Sequence, residues 1–494
     1  MEMQRIFLSD ADAPRGTLCF RSNLFRFGTG PRFVRWIGEC SSYHGLAWHR
    51  IILLLSVLCF SGTRAVVAQK AWALDQCIHY AWDNNFSVHT QELGVKVRHA
   101  DFRQAKNDLL PSLTLQSSFN QNYGRSIDPT TNTYIDVQFF NNGYGASSSV
   151  DLFNGFMKLN TIEMQRLNYE AEKNRLQQVR NEVAFAVING YFEVLLQQGL
   201  SSIALENYQL SRNQLDYTTK FVELGRKPGT DLLETEANLA ADSFLLVQSH
   251  HFLEQAVLGL KYQMNYPLSD SLAVDTLVPS IFSGTMDTLS MEELFRAASV
   301  ALPDLIYARN QLNAAKKAVQ VSKGAFSPSL GFYAGWNSLY TETDRDNSNQ
   351  IILFSEQMSN NSNEYLSLGI EIPLFSRFAK YTSLSKSKLQ YQQAKIRYED
   401  VSYKLQMGAE KSLTDWRSAR AEYESSLSQL AKSKKAYEAA EKKLDKGLIN
   451  IIEFYIQKNK WIRAKTEVLR TGLQVLLKER YIRFLMTGSL LGNN

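Results

Sequence analysis

Two carboxylates stand where position alone could give them chemistry. Asp231 lies six residues after Gly225, and Glu453 lies six residues after Gly447. A glycine that ends a helix in the left-handed conformation avoids a Cβ penalty of roughly 1 kcal/mol or more. Lys446, directly before Gly447, suits a helix C-terminus. Each acid would then fall in the first turn of the following helix, where it stabilises the helix dipole by about 0.3–1 kcal/mol. Motif-based chemistry is otherwise missing. The chain contains no C-x-x-C, no H-E-x-x-H, no phosphate-binding G-x-x-x-x-G-K-[ST] and no G-x-S-x-G. His250 and His251 are adjacent, so on a helix they diverge by about 100° and share a metal poorly. The sequence reads as a non-enzyme with no cofactor and no metal site.

The elements that position the two acids occur twice. Leu109-Leu110-Pro111-Ser112-Leu113 returns as Phe326-Ser327-Pro328-Ser329-Leu330, and Asp151-Leu152-Phe153-Asn154-Gly155-Phe156 returns as Pro373-Leu374-Phe375-Ser376-Arg377-Phe378. A repeat of some two hundred residues is too long for a solenoid and marks a duplicated half. The halves are 69–288 and 289–494, behind a leader at 1–68.

Proline delimits the helices, because inside a helix it costs roughly 3 kcal/mol. None occurs in 157–227 or 374–494. Apolar residues three and four apart predict one helix from about Lys158 to Leu224 and another from about Lys380 to Lys446. At 1.5 Å per residue each is about 100 Å long, which suits coiled coils or helical tubes. Segments 71–108, 230–265, 290–325 and 450–487 predict helices of half that length, so that two stacked end to end equal one long one.

Each half also carries a hairpin, at about 112–153 and 329–376. Leu113, Leu115 and Phe119 alternate with polar residues, as do Leu366, Leu368, Ile370 and Ile372. Period two over about ten residues is the pattern of a membrane barrel strand. Phe332, Tyr333, Trp336, Tyr340 and Tyr365 are candidates for an interfacial aromatic girdle. The intervening segments 121–136 and 338–363 are rich in Asn, Asp, Ser and Thr, as barrel surface loops are. Four strands cannot close a barrel and would leave open edges in lipid, so the chain must oligomerise; three copies give twelve strands.

Composition bounds the partners. The net charge of +5 belongs mostly to residues 1–68, with eight Arg and four acids, leaving 46 basic and 45 acidic residues beyond. Such a near-neutral chain has no global field to hold nucleic acid. The apolar run Ile51–Phe60, followed by Val66-Val67-Ala68-Gln69, predicts a secretory signal with cleavage after Ala68; residues 1–48 exceed an ordinary signal n-region. Only Cys77 would survive cleavage, so packing and assembly, not disulfides, must stabilise the mature chain.

Taken together, the strand starts at 110–113 and 327–330, the Leu-Phe pairs at 152–153 and 374–375, Pro303-Asp304-Leu305, and the tip Lys446-Gly447-Leu448-Ile449-Asn450-Ile451-Ile452-Glu453 resemble the TolC-like outer membrane efflux protein family over about residues 70–488. The resemblance implies a homotrimer: a twelve-stranded barrel in outer membrane lipid, continued by a twelve-helix tube through the periplasm of a Gram-negative bacterium. It implies an exit duct of tripartite efflux or type I secretion. Its apices, Gly225 on one side and Lys446, Gly447 and Asn450 on the other, would dock on a periplasmic adaptor serving an inner-membrane pump. Asp231 and Glu453 would then form a ring of six carboxylates at the narrow periplasmic gate. The competing reading is a periplasmic coiled-coil structural protein without a pore, which leaves the duplicated hairpins unexplained. The first apex, Gly225-Arg226-Lys227-Pro228-Gly229, departs from the second by an added Pro and Gly.

Overall fold

The computed structural model describes residues 71–491 except 137, 276–285 and 287, so the leader expected at 1–68 lies outside the described residues. In the first half α1 (Leu74–Asn84) and α2 (Phe86–Asn107) lead into β1 (Ser112–Asn122), a short hairpin of β2 (Arg125–Ile127) and β3 (Tyr134–Asp136), and β4 (Phe139–Asn154). The 67-residue α3 (Met157–Glu223) descends from the hairpin, and α4 (Gly229–Met264) returns. The second half repeats the order: α5 (Met291–Ala301), α6 (Pro303–Gly324), β5 (Ser329–Thr341), the one-element insertion α7 (Phe354–Asn360), β6 (Asn363–Glu371), the 67-residue α8 (Ala379–Asp445) and α9 (Ile451–Thr487). The long helices match their expected bounds closely.

The single half-length helices expected at 71–108 and 290–325 are instead each broken into pieces of 11 and 22 residues. Pro303 explains the second break. It lacks an N–H and forces Leu302 to extended backbone at φ −86°, ψ 134°. In the first half Asn85 holds φ −75°, ψ 127° and its side chain accepts a hydrogen bond from the Ser87 amide at 2.9 Å, capping α2. At these breaks the returning helices abut. Asn85 Nδ2 donates to Gln263 O near the end of α4, and Asn265 Nδ2 donates to Asn84 O. At the matching place Gly488, left-handed at φ 69°, ends α9 so close to Ala301 that a Cβ would approach its carbonyl oxygen to 2.9 Å. The end-to-end stacking of half-length helices is therefore present in both halves. Packing contacts give the order α2 over α4, then α3, then α6 over α9, then α8. The main apolar core lies at the level of the breaks and includes Ile78, Val187, Tyr191, Met264, Leu294, Trp416 and Ile482.

The four long strands form one antiparallel sheet in the order β1-β4-β5-β6, so β1 and β6 each have a partner on one side only. Register puts Leu115, Ala146, Trp336 and Glu364 in one cross-strand row, and Phe332 opposite Leu368. One face thus carries Leu113, Leu115, Phe119, Phe332, Trp336, Leu366, Leu368 and Ile370. The other carries Ser112, Thr114, Gln116, Gly145, Ser149 and Asn337. Phe332, Trp336 and Tyr340 stand on the apolar face as a girdle requires. Tyr333 and Tyr365 do not: pleat parity places them on the polar face. Their rings lie against Gly331 and Gly335, where a Cβ would come within 2.7 and 2.4 Å of them.

The segments expected as plain surface loops carry structure. Asp128, beside β2, accepts from Thr343 Oγ1 at 3.0 Å and so ties the two loops together. Helix α7 covers the end of β5 where β6 has stopped. Its buried Gln357 accepts from the Thr341 amide at 2.8 Å and donates to the Thr341 carbonyl at 3.0 Å, replacing a strand neighbour.

Candidate functional site

Both apices are built the same way. Gly225 and Gly447 hold φ 68° and 66°. The Arg226 amide donates back to Phe221 O and the Leu448 amide to Lys443 O, at 2.8 and 2.9 Å. These are six-to-one Schellman closures, which satisfy carbonyls that a helix end leaves bare. Five residues join Glu223 to Gly229, and five join Asp445 to Ile451. The extra Pro and Gly of the first apex therefore change neither its length nor its closure. They change the cap. Pro228 precedes α4 with no side-chain cap, whereas Asn450 caps α9 by accepting from the Glu453 amide at 2.8 Å.

Asp231 and Glu453 occupy the same third position of α4 and α9. Asp231 is half-buried and Glu453 exposed; Lys446 and Asn450 are exposed. Among the described residues no hydrogen bond or ion pair joins Asp231 to Glu453. The equal lengths of α3 and α8 put the two apices at one end of the molecule, and Tyr217 of α3 links them. Lys227 of the first apex sits 5.1 Å above its ring, and its hydroxyl meets the carboxylate of Asp445 at the foot of α8. Burial first, and then the Asp445 charge, hold the Tyr217 phenol above its ordinary range.

The wall above the apices holds an unforeseen group. Lys458 of α9 is fully buried and lies 2.8 Å from Asp242 of α4. Ser211 of α3 joins both, and Asn207 Nδ2 donates to the other Asp242 oxygen at 2.6 Å. Burial pushes the Lys458 ammonium below its ordinary range, and the Asp242 carboxylate opposes that. One cluster thus locks α9 of the second half to α3 and α4 of the first. A signal for it exists in the sequence. Ile451, Phe454, Tyr455, Lys458 and Ala464 form one buried stripe at helical spacing, so Lys458 is a charge inside an interior face. Beside it Lys465 pairs with Glu206, and Gly199 gives room to Leu469. Below, Tyr437 stacks on Trp461 at 4.7 Å within a small apolar cluster that closes the second hairpin.

This arrangement can hold two helical hairpins in fixed register, expose paired turns at one end and present a half-apolar sheet at the other. Among the described residues no group of three His, Cys, Asp or Glu side chains is placed to hold a metal ion. The sequence profile of a family described as outer membrane efflux protein matches residues 77–263 and 294–488, one segment in each half. The outer membrane efflux protein BepC of Brucella suis is 20% identical over 371 residues, covering 75% of this chain and 74% of that protein. In fold, the chain is similar to the Campylobacter jejuni CmeC outer membrane channel, with a TM-score of 0.70 at 16% identity over 84% of this chain and 85% of that one. It is also similar to CusC, with a TM-score of 0.70 at 18% identity over 85% and 92%.

Proposed function

Because this chain belongs to the outer membrane efflux protein family, we propose that it is the passive exit duct of a tripartite efflux or type I secretion system. Three copies close a twelve-stranded barrel, each β6 pairing with β1 of the next copy, and their helices continue as a tube into the periplasm. The observation that carries this reading is the four-stranded sheet with two one-sided edge strands, mounted on helices of 67 residues. An open edge in hydrocarbon leaves backbone donors and acceptors unsatisfied at several kcal/mol each, so closure by further copies is required. The polar face, with its serines, glycines and asparagines, lines the lumen. Native mass measurement in detergent will give a trimer. A folded monomer stable in detergent would refute both barrel and tube.

In this reading the duct performs no catalysis and supplies no energy; cargo is chosen by the pump. The apices at Gly225 and Gly447 receive a periplasmic adaptor. Asp231 and Glu453, at identical helix positions, supply six carboxylates at the periplasmic constriction, where such a ring attracts cations. The variant D231N/E453Q will weaken block by trivalent cations in planar bilayers at least about tenfold, equivalent to about 1.4 kcal/mol. Unaltered block in an assembled trimer would leave the acids only their helix-dipole role. A pore-free periplasmic coiled coil would need no sheet with one predominantly apolar face, and that face counts against it.

A further inference from the structure

We infer that copies of the chain join by repeating its own internal joint, and that Arg377 marks the copy joint with an ion pair to Asp108 of the neighbouring copy. The inference rests on the trimeric barrel reading and deepens it by naming the register and the pair. Phe86 and Pro303 start equivalent helices 217 residues apart, and Ser112 and Ser329 start equivalent strands at the same offset. Beyond the hairpins the offset is 222, from Met157 to Ala379 and from Gly229 to Ile451. A contact between the first half's exit and the second half's entry therefore has a counterpart between the second half's exit and the next copy's entry. Inside the chain β4 sets Val150 opposite Phe332 and Ala146 opposite Trp336 of β5. The counterparts set Ile372 opposite Leu115 of the next copy, and Leu368 opposite Phe119. By alternation all four stand on the apolar face, so the transferred register keeps the two faces in phase. The helices agree. Where α3 packs along α6, Leu167 is 9% exposed and Ala314 4%. Their counterparts on α8 and α2, Leu389 and Val97, are 57% and 59% exposed in the single chain.

The two joints differ in charge at one place. Inside the chain the exit turn of the first half presses on the entry turn of the second. A Cβ on Gly155 would come within 2.3 Å of the Gly324 carbonyl oxygen and 2.6 Å of Ser327 Cβ. The counterpart of Gly155 is Arg377, also left-handed at φ 50°, and the counterparts of Gly324 and Ser327 are Asn107 and Leu110. An arginine cannot make that close backbone contact, so its side chain must run across the gap. Glycine would hold the turn without strain, and an arginine kept there has a use. Asp108 lies in the turn it reaches, where the second half has Ala325. Asp108 is exposed and accepts from the neutral Gln104 amide at 2.6 Å. Nearby, Lys158 pairs with Asp151 at 2.8 Å, but its counterpart Lys380 faces Pro373 in place of the acid. Among the described residues Arg377, Lys380 and Asp108 have no ion pair. The residues that meet inside the chain, Gly155 and Ala325, are thus uncharged. Those that meet only between copies are a guanidinium and a carboxylate. Such a pair contributes register and partner choice more than raw affinity.

Charge reversal tests the pair. R377D and D108R, alone and together, are compared with the parent protein in detergent by the temperature at which the trimer dissociates on a semi-native gel. Each single reversal is expected to lower that temperature by several degrees, because like charges then face one another at all three joints. The double reversal is expected to restore it. Single variants that melt with the parent, or a double variant no better than either single, overturn the pair. Loss in R377D with none in D108R also overturns it and assigns Arg377 to another acceptor, such as lipid phosphate. The register has its own test. L368C/F119C, oxidised in intact outer membranes, should give disulfide-linked dimers and trimers, and neither single cysteine variant should; the native Cys77 is buried. No cross-link in a protein that native mass shows to be a trimer overturns the transferred register and leaves the barrel standing. A monomer by native mass would overturn the barrel reading itself.

Discussion

Lys458→Met will destabilise the folded chain by about 3–5 kcal/mol, because it strands the Asp242 carboxylate in a site that excludes water. The lysine side chain is 2% exposed and the aspartate 10%, and the two are 2.8 Å apart. Methionine fills the space of the lysine stem, so packing loss contributes little and the uncompensated charge dominates. Ser211 and Asn207 still donate to Asp242, which softens the penalty without replacing the cation. The double variant K458M/D242N removes both charges, keeps the shape of the cluster and recovers most of the loss. Thermal melting of detergent-solubilised protein followed by circular dichroism measures all three proteins. A single variant melting with the parent would show that the pair contributes nothing to holding α9 on α3 and α4. A double variant no better than the single would assign the cost to packing and not to charge.

That cluster also shows where sequence reasoning stops. The two long helices, the duplication, the hairpins and both apices are legible because proline placement, period-two alternation and helix-ending glycines act locally, whereas the breaks at Asn85 and Leu302 are not. The seams between helices are not legible either. Apolar spacing predicts Leu205 as interior, yet it is substantially exposed, while Asn207, Ser211 and Thr218 of α3 are buried. On α4 the buried line is Thr235, Asp242 and Ser249, at seven-residue spacing. Long helices packed along their length approach most closely over small polar side chains, which hydropathy scores as surface. Ser426 and Thr471 meet at 3.0 Å in the same manner between α8 and α9. The girdle misreading has a similar origin. Alternation gives two faces but not which one an aromatic ring occupies until the cross-strand register is known, and Tyr333 and Tyr365 fall on the polar side. The equality of Asp231 and Glu453 is legible from their offsets, whereas the link between the apices through Tyr217, Lys227 and Asp445 depends on tertiary packing alone.

Gly225→Val combined with Gly447→Val will abolish export while leaving a trimer in the outer membrane. At both glycines a Cβ would meet nothing within 4 Å, so substitution creates no clash. The whole effect is conformational. Valine disfavours the left-handed region by roughly 1–2 kcal/mol, and β-branching stiffens the side chain further. That is small beside the packing of two 67-residue helices, so the tube and barrel persist. It is large for a five-residue turn held by one Schellman closure, whose Arg226 and Leu448 amide bonds depend on the left-handed residue before them. The apex surface changes shape, and a partner that reads that shape no longer fits. Asparagine tolerates the left-handed region far better than valine. G225N/G447N should therefore restore export to near the parent level, although it too adds a side chain. Rescue by asparagine would locate the requirement in backbone geometry, and failure of both variants would instead locate it in the absence of any side chain at the tip. Normal export by the valine pair, with unchanged cross-linking to the adaptor, would show that the partner docks elsewhere on the helices.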